Sequence, residues 1–231
     1  MTHKLFVHAA AVAALVVAGL PAEAQIRGGS TKPLPADLSQ RLAAAERQFP
    51  SILANALSPE SIAATLRLIK EQPAPTTPGL TDFDNVSAPC SFADTTPLIG
   101  REQFAGFEAP APDGGTILNV CAGFGVNPHS PPNFLAFNDI TGYYEPSGVP
   151  KTPELIYVAK TTSSVSLWIS GGDNPSYPFA VVAYGSTGVL GVTPAHTTEE
   201  WNQITITAPG IIAISLVGNP GYLLVDDILA Q

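Results

Sequence analysis

In residues 163–169, Ser-Ser-Val-Ser-Leu-Trp-Ile, apolar and polar positions alternate: Val165, Leu167 and Ile169 share one face, Ser164, Ser166 and Trp168 the other. Residues 201–207 repeat the pattern, with Ile204 and Ile206 inward and Gln203, Thr205 and Thr207 outward. A period of two is the signature of a strand with one buried face. Short β-type runs also occupy 115–123, 133–137, 154–160, 178–185, 189–193, 211–217 and 222–229, separated by Gly, Pro, Asn and Ser. This rhythm predicts an all-β fold, an antiparallel jelly-roll β-sandwich over residues 80–231. Parallel α/β folds are disfavoured, because the one helical pattern lies outside that region.

That pattern precedes the strands. Leu38, Leu42, Ala45 and Phe49 recur at helical spacing, as do Ile62, Leu66 and Ile69. Ser58-Pro59-Glu60 supplies an N-cap, a proline at the first helical position and an acidic first turn. Two short amphipathic helices, broken near Pro50 or Pro59, are therefore predicted within an α-helical N-terminal appendage at 25–72. Alone they bury too little to be stable, and packing on the sandwich, docking on a partner and partial disorder all stay open. The Pro-rich residues 73–79 read as an extended linker. At the other end of the appendage, residues 1–24 combine Lys4, an apolar run over 9–20 and Pro21-Ala-Glu-Ala24, the layout of a signal peptide cleaved before Gln25. The run is shorter than the about 20 apolar residues a membrane span needs. The mature chain is expected to be secreted or periplasmic, with no membrane span.

Composition sharpens this picture in two ways. Gly (20) and Pro (23) are abundant without a collagen-like period, so they punctuate short elements. The formal net charge of -9 is unevenly spread: from Pro73 onward, three Lys or Arg face fourteen Asp or Glu. Such a surface repels phosphate backbones and anionic membranes, so nucleic acid is an improbable partner, and a cation or neutral ligand fits better.

Two adjacent carboxylates, Asp226 and Asp227, sit inside the apolar terminal run. A carboxylate in a packed strand requires pairing, hydrogen bonds or a cation. Residues 80–86 read as the first strand and carry Asp82 and Asp84, hard oxygen donors of the kind calcium takes. If the first and last strands are neighbours, one Asp of each pair faces the other pair, and a structural calcium ion at Asp82 or Asp84 with Asp226 or Asp227 is the expectation. Strand alternation puts only one residue of each pair on a given face. Cys90 and Cys121 are the only cysteines, and in an exported chain they are expected to form a disulfide. Closing that loop contributes about 3 to 4 kcal/mol in the chain-entropy view.

Trp168 shares its face with serines and is the candidate apolar platform for a sugar ring, unless the helices or a long loop cover it. Tyr143, Tyr144 and Tyr177 lie in turn-rich segments that suit the rim of such a ligand-binding site, or plain packing. Trp201 reads as filler at the sandwich end. Catalytic patterns are poor. Gly185-Ser-Thr-Gly188 lacks the spacing of a nucleophile elbow, His129 and His196 are isolated in sequence, and no zinc spacing exists. Glu199, Glu200 and Asp173 are loop acids from which a glycosidase pair would have to be drawn.

The ordered set Phe83-Asp84, Pro132-Asn133-Phe134-Leu135-Ala136-Phe137, Ala183-Tyr184-Gly185-Ser186-Thr187-Gly188, Trp201, Ala208-Pro209-Gly210-Ile211 as a turn, and Leu224-Val225-Asp226-Asp227-Ile228 resembles exported bacterial jelly-roll domains of galactose-binding-like or carbohydrate-binding-module-like type. Such domains often occur in proteins with a PEP-CTERM sorting tail, which does not follow the last strand here. The resemblance covers residues 80–231. It implies a calcium ion joining first and last strands, through Asp82 or Asp84 and Asp226 or Asp227. The expected function is that of a non-enzymatic binding protein for glycan or a cell-surface or matrix component. A carbohydrate-active hydrolase and a matrix or assembly protein without a small ligand are the alternatives.

Overall fold

The computed structural model describes residues 47, 50–72, 75–94, 100–107, 114–138, 153–174, 176–218 and 221–231. Residues 1–24, expected from the sequence to be a signal peptide, Leu38, Leu42, Ala45 and Phe49, and Tyr143 and Tyr144 lie outside these residues. Among the described residues two α-helices, α1 (Pro50–Ala56) and α2 (Pro59–Glu71), precede the strands. The Ser58 side chain accepts a hydrogen bond from the Ser61 N–H and Pro59 opens the helix, as its sequence predicts. Ten strands follow: β1 (Leu80–Thr81), β2 (Gly100–Glu102), β3 (Ala105–Phe107), β4 (Gly114–Asn119), β5 (Asn133–Asn138), β6 (Glu154–Ser170), β7 (Pro178–Gly185), β8 (Gly188–His196), β9 (Asn202–Gly218) and β10 (Leu224–Ala230).

Every ladder among them is antiparallel. Two long strands, β6 and β9, run through both layers of the sandwich. The second half of β6 joins β10, and the first half of β9 lies beside it, giving a first sheet ordered β4-β5-β10-β6-β9 with β1 on the β10 edge. The first half of β6 joins β3, and the second half of β9 joins β7, giving a second sheet ordered β2-β3-β6-β9-β7-β8. The result is a jelly-roll sandwich.

The two long strands correct the sequence reading, which divides each into two. Register shifts at residues 157–164 bend β6, and the 208–210 segment, expected as a turn, lies inside β9. Gly210 has φ +78 and Pro209 is exposed, so the strand turns a corner between sheets without needing the missing N–H. Strands β2 and β3 have no counterpart in the sequence reading, being three residues each.

Three apolar layers result. Val165, Leu167, Ile169, Ile204, Ile206, Val181, Ile214 and Val225 fill the space between the sheets, as alternation predicts. Leu53, Leu57, Ile62 and Ile69 from the helices cover the outer face of the second sheet at Leu155, Tyr157, Val182, Tyr184 and Val217. The helices thus belong to the fold, and the choice left open by their sequence is resolved in favour of packing on the sandwich. On the outer face of the first sheet, Phe92 and Phe124 cover Leu118, Phe134 and Leu224. The Cys90–Cys121 disulfide, with its Cα atoms 5.0 Å apart, ties the segment after β1 to the loop 120–132.

Candidate functional site

The first and last strands do pair: Leu80 lies opposite Leu229 and Thr81 opposite Ile228. Beyond this ladder the backbone of β10 breaks its register between Asp226 and Leu229, and Asp227 takes a left-handed φ of +47. Aspartate tolerates that region better than most residues. The bulge has a consequence that strict alternation misses. Both neighbouring carboxylates reach the same loop, where alternation alone sends them to opposite faces. Asp226 Oδ2 accepts the Ser130 N–H at 3.0 Å, and its Oδ1 accepts the Asp227 N–H at 2.9 Å. Asp227 Oδ1 accepts the Ser130 hydroxyl at 2.9 Å, and its Oδ2 lies 2.5 Å from His129 Nδ1. A donor network therefore holds both carboxylates in a setting where Asp226 is fully buried.

Upstream, Phe83 is buried in the core at φ +64 and throws Asp82 and Asp84 to either side. Asp82 turns to the β2–β3 hairpin. Its N–H donates to Gln103 Oε1 at 2.9 Å, while its Oδ1 accepts Gln103 Nε2 at 2.8 Å and the Asp84 N–H at 3.2 Å. The turn is fixed to β5 by Asn133, whose amide donates to the carbonyls of Phe83 and Val86 at 2.9 and 2.8 Å. Asp84 turns towards β10. Burial raises its pKa, and the charges of Asp82 and Asp227 raise it further. One of its oxygens, Oδ1, is buried without a hydrogen-bond partner. Burial pushes Asp226 up to about 7, repulsion from Asp227 and Asp84 adds to the rise, and the bonds from Ser130 and Asp227 oppose it. Asp84, Asp226 and Asp227 thus sense one another, whereas Asp82 is committed to Gln103. Among the described residues no three His, Cys, Asp or Glu side chains converge on a metal position.

The loop that holds the carboxylates also builds the aromatic feature beside them. Trp168 lies opposite Asp226 on one side and Gln203 on the other. His129 stacks on its indole with ring centres 3.8 Å apart and planes 18° from parallel. Trp201 stands edge-on to His129 at 6.4 Å and donates its indole N–H to the Asn127 carbonyl at 2.7 Å, so it packs at the loop base as sandwich filler. The sheet face beyond Trp168 is open and hydroxylated. Ser166 Oγ meets Thr205 Oγ1 at 2.8 Å and Ser164 Oγ meets Thr207 Oγ1 at 3.5 Å, while Gln203, Thr205 and Thr207 are exposed. Tyr177 is half-buried beyond the end of β6, against Asn174 and Gly221, and its N–H donates to Thr197 Oγ1 at 3.1 Å. His129 is the participant that sequence reasoning missed, since 98 positions separate it from Asp227 and no short motif joins them. Glu199, Glu200 and Asp173 are exposed.

No family model and no curated protein matches the chain. Among solved structures it is similar to the K2 cleaved adhesin domain of Lys-gingipain, at 11% identity and a TM-score of 0.41 over 61% of this chain and 95% of that one. It is also similar to a C-terminal family 22 carbohydrate binding module of Clostridium thermocellum, at 9% identity and a TM-score of 0.36 over 59% and 90%. A family 11 carbohydrate-binding module of the same organism gives 11% identity and a TM-score of 0.32 over 67% and 95%. Likenesses this distant carry no argument about ligand, which has to come from the geometry above.

Proposed function

We propose that the chain is a non-catalytic binding protein that takes a neutral glycan, or a similarly hydroxylated cell-surface or matrix component, on the outer face of its first sheet. The observation that carries this reading is the open face of Ser164, Ser166, Gln203, Thr205 and Thr207 bordered by the stacked Trp168 and His129. Sugars ask for flat apolar surface beside hydroxyl and amide groups, and this patch offers both. The disulfide and the secretory-type leader suit an exported protein working in an oxidising compartment.

A structural calcium ion belongs to the same proposal. The donor chemistry fits: Asp84 has an orphaned buried oxygen, and burial with repulsion from neighbouring carboxylates raises the pKa of both Asp84 and Asp226, a shift that a divalent cation would reverse. Asp84 with Asp226 or Asp227 would supply the side-chain ligands, and backbone carbonyls and water the rest.

A glycan array read on wild type, Trp168→Ala and His129→Ala tests the site. Loss of about tenfold or more in affinity on removing the indole, with the melting temperature retained, is expected, because stacking on an aromatic face is worth roughly 1 kcal/mol or more. Unchanged binding by a folded Trp168→Ala protein would overturn the assignment, and turnover of any polymer would replace it with a hydrolase.

A further inference from the structure

A second candidate site lies on the opposite side of the molecule, where the end of α2 crosses the corner of the second sheet. A cleft of about 680 Å³ opens there between α2, the bend of β6, the β7–β8 turn and β9. That volume falls within the range of small-molecule sites. Its apolar lining among the described residues comes from Leu66, Ile69, Pro75 and Ile212, with no aromatic among them. Lys70 and Lys160 line it from two different elements, the last turn of α2 and the bend of β6. Among the described residues no Asp or Glu lines it.

This charge pattern runs against the rest of the chain. From Pro73 onward there are three basic residues and fourteen acidic ones, and one of the three lines this cleft together with a helix lysine. Among the described residues neither lysine makes an ion pair, since the single salt bridge joins His129 to Asp227. The helix C-terminus accounts for a cation at Lys70. It does not account for a second one on a strand across the same cleft. Like charges lining one cleft repel unless an anion comes between them, and a lysine can lay its stem on apolar lining while keeping its ammonium at the mouth. We infer that the cleft binds a single-chain anionic amphiphile, an acyl chain lying along Leu66, Ile69 and Ile212 with its anionic head between Lys70 and Lys160.

Titration calorimetry on the full chain with decanoate below its micelle concentration tests this, with decanol and a trimer of galacturonic acid as the chain-only and charge-only probes. Decanoate is expected to bind at one site and more tightly than either comparison probe. The Lys70→Gln/Lys160→Gln variant should weaken decanoate by about tenfold and leave decanol unchanged, consistent with loss of a favourable charge contact. Leu66→Gln should weaken both. Both lysines are exposed, so the double variant keeps its fold, and an unchanged melting temperature verifies that. No heat with decanoate, equal affinity in the lysine variant, or preference for the galacturonate trimer would overturn the inference. Trp168→Ala leaves decanoate binding intact, so failure of this cleft and failure of the glycan face are separately visible.

Discussion

Asp226 and Asp227 are neighbours in the chain, but the fold asks different things of their charges. Asp227 meets the His129 ring and the Ser130 hydroxyl near the surface, whereas Asp226 is fully buried and accepts only backbone N–H groups. Its folded pKa of about 7 stands above the ordinary carboxylate value of 3.8. Between those two values the native state holds a proton that the unfolded state gives up, so the contribution of Asp226 to stability is full below about 3.8 and is lost as pH rises towards 7. The slope from one such group is at most about 1.4 kcal/mol per pH unit. Urea unfolding with chelator should therefore show stability falling from pH 5 to pH 7.5, and Asp226→Asn should flatten the profile. Calcium would invert the sign, because a cation lowers the folded pKa below the unfolded one and makes the ionised form the stabilising one. A profile that is the same with calcium and with chelator sinks the ion, and a wild-type slope unchanged by Asp226→Asn sinks the assignment to this residue.

At the scale of elements, the alternating halves of β6 and β9 were legible because inward and outward positions are set by a period of two that needs no knowledge of the rest of the fold. Their continuity was not. Lys160-Thr161-Thr162 interrupts the apolar run and Pro209-Gly210 has turn chemistry, and a corner inside a long strand can use the same residues as a hairpin between two short ones. The helix-covered sheet was visible in principle: Phe179-Ala-Val-Val-Ala-Tyr184 is an unbroken apolar run, the mark of a strand buried on both faces. The His129–Asp227–Ser130 cluster left no trace, because it depends on a bulge and a loop brought together from far apart in sequence. Gly210 allows a clean measurement of what a corner requires. At φ +78 it sits where an L side chain is strained, yet a Cβ added there meets nothing within 4 Å. Gly210→Ala should thus cost about 1 kcal/mol from backbone strain alone, read as a lower urea midpoint at constant m-value. An effect near zero would mean that the corner is held by something other than this conformation.

For the molecule as a whole, the sandwich is one of two layers that fold together with a third. The second sheet presents Leu155, Tyr157, Val182, Tyr184, Val192 and Val217 outward, and α1 and α2 cover them with Leu53, Leu57, Ile62 and Ile69. Tyr184 is only 1% exposed beneath α2; burial pushes its pKa up to about 12, and a side-chain hydrogen bond with Thr65 of α2 opposes the rise. A polar group placed under a helix in this way needs that partner, since leaving a buried hydroxyl unsatisfied costs about 1 to 3 kcal/mol. Thr65→Val should accordingly destabilise the protein by about 1 kcal/mol or more, while Thr65→Ser should retain most of the stability. The double change Thr65→Val with Tyr184→Phe should recover part of the loss, because neither buried polar atom is then left over. Equilibrium unfolding of wild type, Thr65→Val, Tyr184→Phe and the double variant closes that cycle. Additive losses in it, with no recovery in the double variant, would mean that the helices and the second sheet are not coupled through this contact.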